Sequence, residues 1–288
     1  MRTLTVNITE EMNGQTVKIV MRRHLQMSET LISRVKRREK GIMLNGIRVK
    51  TIAIVSAGDI LEVEVGDEPV MRKTVPGAPM PDIVFEDEDL IILNKPAGLA
   101  VHGSGEEGDI NVVTMLETYL GGRGIHLITR LDRGTSGLMA VAKHGYMTDR
   151  LKRIMHTPEF ERNYLALAVG APAEKQGVIT LPIAAHEDGY RRIISPEGVY
   201  AETHYEVLSE KDGLSLVHLR LVTGRTHQIR VHMAAIGCPL LGDWLYGRES
   251  ELISRAALHS CSVSLCHPIT GEHIKLSAPL PPDMAKFV

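Results

Sequence analysis

The sequence predicts an α+β fold: a mixed, mostly antiparallel β-sheet body with flanking helices, preceded by a small α+β module. Three observations carry that class. Strand-like runs far outnumber helical stretches in the second part of the chain, which argues against a doubly wound sheet. The segment GDEPVMRKTVPGAPMP (66–81) has four prolines, two glycines and no apolar periodicity, so it reads as a linker. Ahead of it, Asn45-Gly46 sits between two apolar runs, a strong hairpin signal. The expected division is a module over 1–66, a linker over 67–81 and a body over 82–288.

Within the module, residues 4–8 (LTVNI) form a short strand. Ser28 is the N-cap of a basic helix that turns Leu31, Ile32 and Val35 inward and spreads Arg34, Lys36, Arg37 and Arg38 around the rest. The hairpin IMLNGIRVK (42–50) follows, then GDILEVEV (58–65), which alternates Leu61, Val63 and Val65 with Glu62 and Glu64. In the body, 83–96 suggests two strands around an acidic turn, and 112–120 has helical spacing through Val112, Met115, Leu116 and Tyr119. Strands are expected at 137–143, 164–170, 177–185, 203–209, 214–222 and 257–266, with short helices at 145–156 and 226–236.

A chain of 288 residues, 43% hydrophobic and 24% charged, is long enough to bury a proper core and has ordinary globular composition. No stretch approaches the length of a membrane span, and MRTLTVNITEEMNG lacks the apolar core of a signal peptide, so a cytoplasmic location is expected. Cys238, Cys261 and Cys266 have no metal-ligand spacing, and reduced thiols are expected. The net charge of −2 hides strong local polarity. Residues 21–50 carry nine Lys/Arg against Glu29 and Glu39, whereas 51–110 carry thirteen acids against Arg72, Lys73 and Lys95. Residues 213–242 hold Arg220, Arg225, Arg230 and three histidines with no acid. Basic faces of this kind can meet phosphates while an acidic side stays in water.

The most informative segment is RLDRGTSG (130–137), where Asp132 lies between Arg130 and Arg133. Positive neighbours favour the ionised carboxylate, and Gly134 and Gly137 allow close approach of whatever docks there. A charged, approachable carboxylate suits nucleophilic or base chemistry on an anionic substrate. An isolated motif of this kind would be read as a surface ion pair. The rest of the chain changes that reading.

RLDRGTSG with its continuation LMAVAK closely resembles the catalytic segment of the RluA family of RNA pseudouridine synthases. NKPAGLAVH (94–102), ERNYLALAVG (161–170), TGRTHQIRVHMAAIGCPLLGDWLYG (223–247) and ALHSCSVSLCHPITGEHIKLSAPLPPDM (257–284) resemble that family in the expected order. The sequence departs from the family pattern at Thr129, usually His, and at Gly134, commonly acidic. The basic helices, the N-G turn and the G-D-x-apolar strand of the module resemble a small RNA-binding domain first named in a small-subunit ribosomal protein, found at the N-terminus of several such synthases.

The resemblance implies a long bent sheet with the active-site cleft across its middle. It implies cleavage of the bond from ribose to N1 of uracil, rotation of the base and rejoining through C5. No redox cofactor, nucleotide cofactor or metal is needed for that isomerisation. Asp132 is implied as nucleophile or base, Arg230 as its charge partner through a bidentate contact, and Tyr164 as the ring and hydroxyl against the target base. The target nucleotide must be flipped out of its stack. Arg130, Arg133, Lys95, Arg225, His227 and Gln228 are candidates for the RNA contacts that offset the cost, joined by Arg34, Arg37 and Arg38 of the module. With eleven aromatic residues a broad stacking platform is not expected, so recognition should lean on RNA shape and backbone. The partner is RNA, with large-subunit ribosomal RNA favoured and transfer RNA second, acted on by a monomer away from any membrane.

Three other readings are weighed against the sequence. A serine hydrolase would use Ser136, His227 and Asp132, but GTSG is not a G-x-S-x-G elbow. A metal site is weaker still, because His227 and His232 are five residues apart and face different sides. A non-catalytic RNA-binding protein would have no need of Asp132, Tyr164 and Arg230 together.

Overall fold

The computed structural model describes residues 2–67, 74–103, 106 and 108–288. Residues 68–73 of the expected linker, with Arg72 and Lys73, lie outside the described residues.

The module contains β1 (Thr3–Asn7), α1 (Val17–Arg23), α2 (Glu29–Val35), β2 (Ile42–Leu44), β3 (Ile47–Arg48) and β4 (Ile60–Glu64). Its strands form an antiparallel sheet in the order β1-β4-β2-β3. Ser28 caps α2 by accepting from the Leu31 amide at 3.3 Å, as its position before the apolar face requires. Asn45 and Gly46 both take positive φ, the conformation demanded by a two-residue hairpin turn. Val17, Val20, Leu31, Ile32, Val35, Leu61 and Val63 close a core between the helices and the sheet.

The second part begins with β5 (Ile83–Glu86), β6 (Leu90–Lys95), α3 (Val112–Tyr119), β7 (His126–Leu127), β8 (Ser136–Ala142) and α4 (Gly145–Ile154). It continues with β9 (Phe160–Val169), β10 (Gln176–Ile179), β11 (Ile183–Ala185), β12 (Arg192–Ile194), β13 (Thr203–Lys211) and β14 (Leu214–Leu221). It closes with α5 (Gln228–Ala235), β15 (Leu258–Cys266), β16 (His273–Ser277) and α6 (Pro282–Ala285). Among the described residues ten strands share one sheet in the order β10-β13-β14-β9-β15-β8-β6-β5, with β16 on β15 and β7 on β8. The β15–β8 contact is parallel and every other pair is antiparallel. The fold is therefore α+β, with few helices around a mixed and mainly antiparallel sheet.

Both faces of the middle of this sheet are covered. Ile91, Leu93, Met139 and Val141 point to one apolar cluster with α3 and α5, while Leu90, Ile92, Leu138 and Ala140 point to another with α4. This two-sided burial explains why β6 and β8 read as continuous apolar runs. The expected strand over 177–185 is instead two, β10 and β11, which belong to different sheets and are separated around Pro182. Three further strands, β7, β12 and β16, are too short or too polar to show as periodic runs.

The module packs against α4 and its surroundings. Tyr146 is buried in the module's core and donates to the Leu25 carbonyl at 2.7 Å. Ser28 donates to Asp149 at 2.9 Å, and Arg2 reaches Asp89 at 2.9 Å. Among the described residues no helix is long and apolar enough to cross a membrane.

Candidate active site

Residues 128–135 connect β7 to β8 and carry Asp132 at the edge of a cleft on the sheet. The loop is held from several sides. The Thr135 amide donates to the Asp132 carbonyl at 3.0 Å, closing a tight turn. Thr129, one departure from the family pattern, is buried and accepts the Ala140 amide at 2.9 Å. Arg255 donates to the Gly134 carbonyl at 3.0 Å while its other edge grips Asp283.

Beneath the loop lies Lys95, with no exposed surface. Its Nζ donates to the carbonyls of Pro96 (2.9 Å), Leu99 (2.8 Å) and Arg133 (3.2 Å). Burial pushes its amine down to about 8, with Asp132 pulling upward and Arg255 downward. Lys95 is therefore not a phosphate contact, as the sequence suggested, but a strut under the loop that carries Asp132.

The expected role of Gly137 also changes. A Cβ there would lie 2.2 Å from the Ser260 carbonyl oxygen, and its φ is +108°. Glycine at 137 thus lets β15 run alongside β8, and does not admit a substrate. Nothing comparable holds at Gly134, where the nearest atom is 3.6 Å away.

Arg230 projects from α5, whose first residue follows His227 in the left-handed region at φ 58°. Its Nη1 donates to Asp132 Oδ2 at 3.2 Å. The bidentate partner expected at Asp132 is elsewhere: Nε and Nη2 both reach Asp243, each at 2.7 Å. Asp243 is wholly buried. Burial lowers the Arg230 guanidinium, but hydrogen bonding and charge from Asp243, helped by Asp132, reverse this and raise it. The ring of Tyr246 lies 5.1 Å from the Arg230 Cζ.

His227 Nε2 stands 3.8 Å from Asp132 Oδ1, and burial lowers its imidazole. The two oxygens of Asp132 thus face different groups, Oδ2 toward Arg230 and Oδ1 toward His227 and the cleft. Tyr164 on β9 forms part of the cleft wall and is 5% exposed. Burial raises its phenol. It faces Ser260, and β15 carries an extra residue at Cys261 there, a bulge of the kind that re-aims side chains next to a site.

The cleft holds about 50 Å³ of free space between Asp132, Tyr164, His227 and Arg230, with Leu131, Leu221 and Leu258 as apolar walls. Arg130 and Arg225 are exposed at its rim. Arg133 is exposed, and its Nε donates to the Gly98 carbonyl at 2.9 Å. Gln228 lines the cleft, but its amide is committed to Thr223, the Arg225 amide, the Glu202 carbonyl and Thr203. It shapes the turn before α5 and has no group left for RNA, contrary to the expectation from sequence.

In the module, Arg37 lines a cleft of about 570 Å³ with Lys36, Arg48 and Lys50. Arg34 is exposed and lies 3.5 Å from Asp67. Arg38 is buried and donates to the carbonyls of Glu64 (2.9 Å) and Gly66 (2.6 Å). It fastens the end of β4, so it does not face RNA as the sequence suggested.

The hydrolase constellation does not form. Ser136 is buried in β8 and donates to His259 Nδ1 at 2.9 Å, whereas His227 serves Asp132. Of the two histidines weighed as metal ligands, His232 is bound to Thr203 and the Leu181 carbonyl, away from His227. Asp87, Asp89 and His267 converge elsewhere, but His267 Nδ1 accepts the Thr270 amide, so its Nε2 carries a proton toward Asp87. That arrangement is a neutral imidazole facing a carboxylate, with its one proton already between them.

Asp243 and Tyr246 escaped sequence reasoning, although both lie in the quoted LLGDWLYG run. An acid and a tyrosine three residues apart, flanked by glycines, are the available signal.

The model of a family described as RNA pseudouridylate synthase matches residues 89–235. The uncharacterized RNA pseudouridine synthase YjbO of Bacillus subtilis is 37% identical over 92% of this chain and 95% of its own length. The ribosomal large subunit pseudouridine synthase D of Vibrio cholerae is 34% identical over 86% of this chain and 82% of its own. Among solved structures, human RNA pseudouridylate synthase domain containing 4 superposes with a TM-score of 0.56 at 28% identity, covering 70% of this chain and 90% of that one.

Proposed function

The chain belongs to the RNA pseudouridylate synthase family, an isomerase acting on RNA, and on that premise we propose that Asp132 is its single essential carboxylate. The observation that carries this reading is the unequal setting of its two oxygens. Oδ2 is fixed by Arg230 at 3.2 Å, and Oδ1 has no hydrogen bond among the described residues, lying 3.8 Å from His227 Nε2 in a cleft that Tyr164 also lines. A carboxylate held at one oxygen keeps the other aimed, which either covalent attack or proton removal from the ribose requires.

The rest of the site serves the same reaction. Splaying the uridine out of its stack costs a few kcal/mol, and phosphate contacts from the exposed Arg130, Arg133 and Arg225 offset it. His227 faces the cleft beside them. Tyr164 offers a ring to the extruded base and a hydroxyl near the carbon that loses its proton last. The apolar walls keep water from the detached uracil.

Residues 1–66 act as a ribosomal-protein-like RNA-binding domain joined through 67–81 to a catalytic domain over 82–288. A sheet of its own and an apolar core built mainly from residues 4–65 support this, as does the basic cleft of Lys36, Arg37, Arg48 and Lys50. The favoured target is large-subunit ribosomal RNA, because relatives named for that activity cover most of the chain. Transfer RNA is second.

Mapping pseudouridine in total RNA from cells with and without the gene tests the target. Loss of one or more sites in large-subunit ribosomal RNA is expected. Unchanged ribosomal sites alongside lost transfer RNA sites would reverse the order of targets, and an unchanged map in all RNA would overturn the proposal.

A further inference from the structure

We propose that Asp243 and Tyr246 are positioning residues: Asp243 turns the Arg230 guanidinium so that Nη1 meets Asp132, and Tyr246 sets the tautomer of His227. This inference rests on the reading of Asp132 as the reacting carboxylate.

Arg230 has three nitrogens, and the structure uses each. A guanidinium on a flexible stem would swing freely between two acids. Here Nε and Nη2 form a two-point fork with Asp243 at 2.7 Å each, which fixes the plane of the group and leaves Nη1 pointing at Asp132 Oδ2. Asp243 is itself held, since its Oδ1 also accepts the amides of Leu245 (3.2 Å) and Tyr246 (3.3 Å). The same short turn lays the Tyr246 ring against the guanidinium, 5.1 Å from Cζ. One four-residue segment, 243–246, therefore grips Arg230 from an edge and a face.

The Tyr246 hydroxyl settles the second direction. It accepts the Arg192 backbone amide at 2.8 Å, a group that only donates. It also lies 2.8 Å from His227 Nδ1. With one lone pair taken by the Arg192 amide, the hydroxyl uses its donor as well as its acceptor only by giving its proton to Nδ1, the arrangement that puts the imidazole proton on Nε2. Nε2 is the atom that faces Asp132 Oδ1, at 3.8 Å. Hydrogen bonds run from β12 through Tyr246 to His227, whose Nε2 then stands 3.8 Å from the carboxylate oxygen that Arg230 leaves free. The opposite tautomer would present a lone pair to that oxygen and repel it.

Nitrogen-15 NMR of the imidazoles, in the full chain with His227→Gln for assignment, reads the tautomer without reference to activity. In the wild type Nδ1 is expected unprotonated and Nε2 protonated, and Tyr246→Phe should yield a mixture. A protonated Nδ1 in the wild type, or an unaltered pattern in Tyr246→Phe, would overturn the assignment of Tyr246. For Asp243, kcat and KM on RNA are compared for Asp243→Asn in the wild-type and Arg230→Met backgrounds. Losing the carboxylate that orients Arg230 should lower kcat on the order of 10- to 100-fold with KM unmoved. In the Arg230→Met background the same change should add less than about 2-fold, because the effect passes through Arg230. Equal losses in both backgrounds, or a change confined to KM, would overturn it. Should Asp243→Asn fail to fold, Asp243→Glu carries the comparison. Turnover surviving in Asp132→Asn would sink the underlying reading while leaving the tautomer result standing, so the two failures are distinct.

Discussion

Lys95→Met removes one amine shared by three backbone carbonyls, and pH separates its consequences. In the folded protein burial brings this amine down to about 8 from an ordinary 10.5. The unfolded chain keeps its proton to higher pH, so between 8 and 10.5 the unfolded state binds more protons. Stability must then rise with pH across that window, and below pH 8 the cost of burying the charge is present in full. A gap of 10.5 − 8 = 2.5 units corresponds to about 3 kcal/mol, of which roughly 1 kcal/mol accrues between pH 7 and pH 9. Stability at pH 7 alone mixes this term with the carbonyls of Pro96, Leu99 and Arg133, each of which costs about 1–3 kcal/mol when left unpaired. The change with pH isolates it. Urea unfolding of both proteins at pH 7 and pH 9 is the assay, and the wild type should gain roughly 1 kcal/mol more than Lys95→Met. Equal gains, or a larger gain in the variant, would refute the placement of a protonated amine under the loop. Turnover of the variant at pH 7 should also fall on the order of 10-fold or more, since Arg133, whose carbonyl it holds, adjoins Asp132.

Three other outcomes are expected. Tyr164→Phe keeps the buried ring but loses the hydroxyl, so pseudouridine formation should stop while RNA affinity holds; a normal rate excludes proton transfer by this residue. Gly137→Ala places a methyl 2.2 Å from the Ser260 carbonyl at a φ of +108°, and thermal unfolding should show a loss of about 3 kcal/mol; a loss under about 1 kcal/mol contradicts the close approach of β15 and β8. Lys50→Met in the basic cleft should weaken RNA binding across sequences and reduce the slope of log affinity against log salt by about 1, whereas an unchanged slope removes Lys50 from the RNA interface.

The elements legible in the sequence were those whose signal is local. Ser28 caps its helix and Asn45-Gly46 turns its hairpin because each motif is satisfied within a few residues. The order of strands in the large sheet is not local, and β15 threads between β9 and β8 only because Gly137 lacks a side chain. For the site, Asp132, Tyr164 and Arg230 were found by resemblance and do converge. Lys95, Gln228 and Arg38 were misplaced for a common reason: a long polar side chain that satisfies backbone carbonyls inside the fold looks the same in sequence as one that awaits phosphate. Asp243 went unseen because its role depends on a turn that brings it to α5 thirteen residues away.

A single substitution probes the central claim. Asp132→Asn retains size and the hydrogen bond that Arg230 makes to an oxygen, and deletes the charge. Quantifying pseudouridine in RNA digests by mass spectrometry, alongside RNA affinity for the same variant, should show no product and unaltered binding. Product accumulating at the wild-type rate would contradict the account.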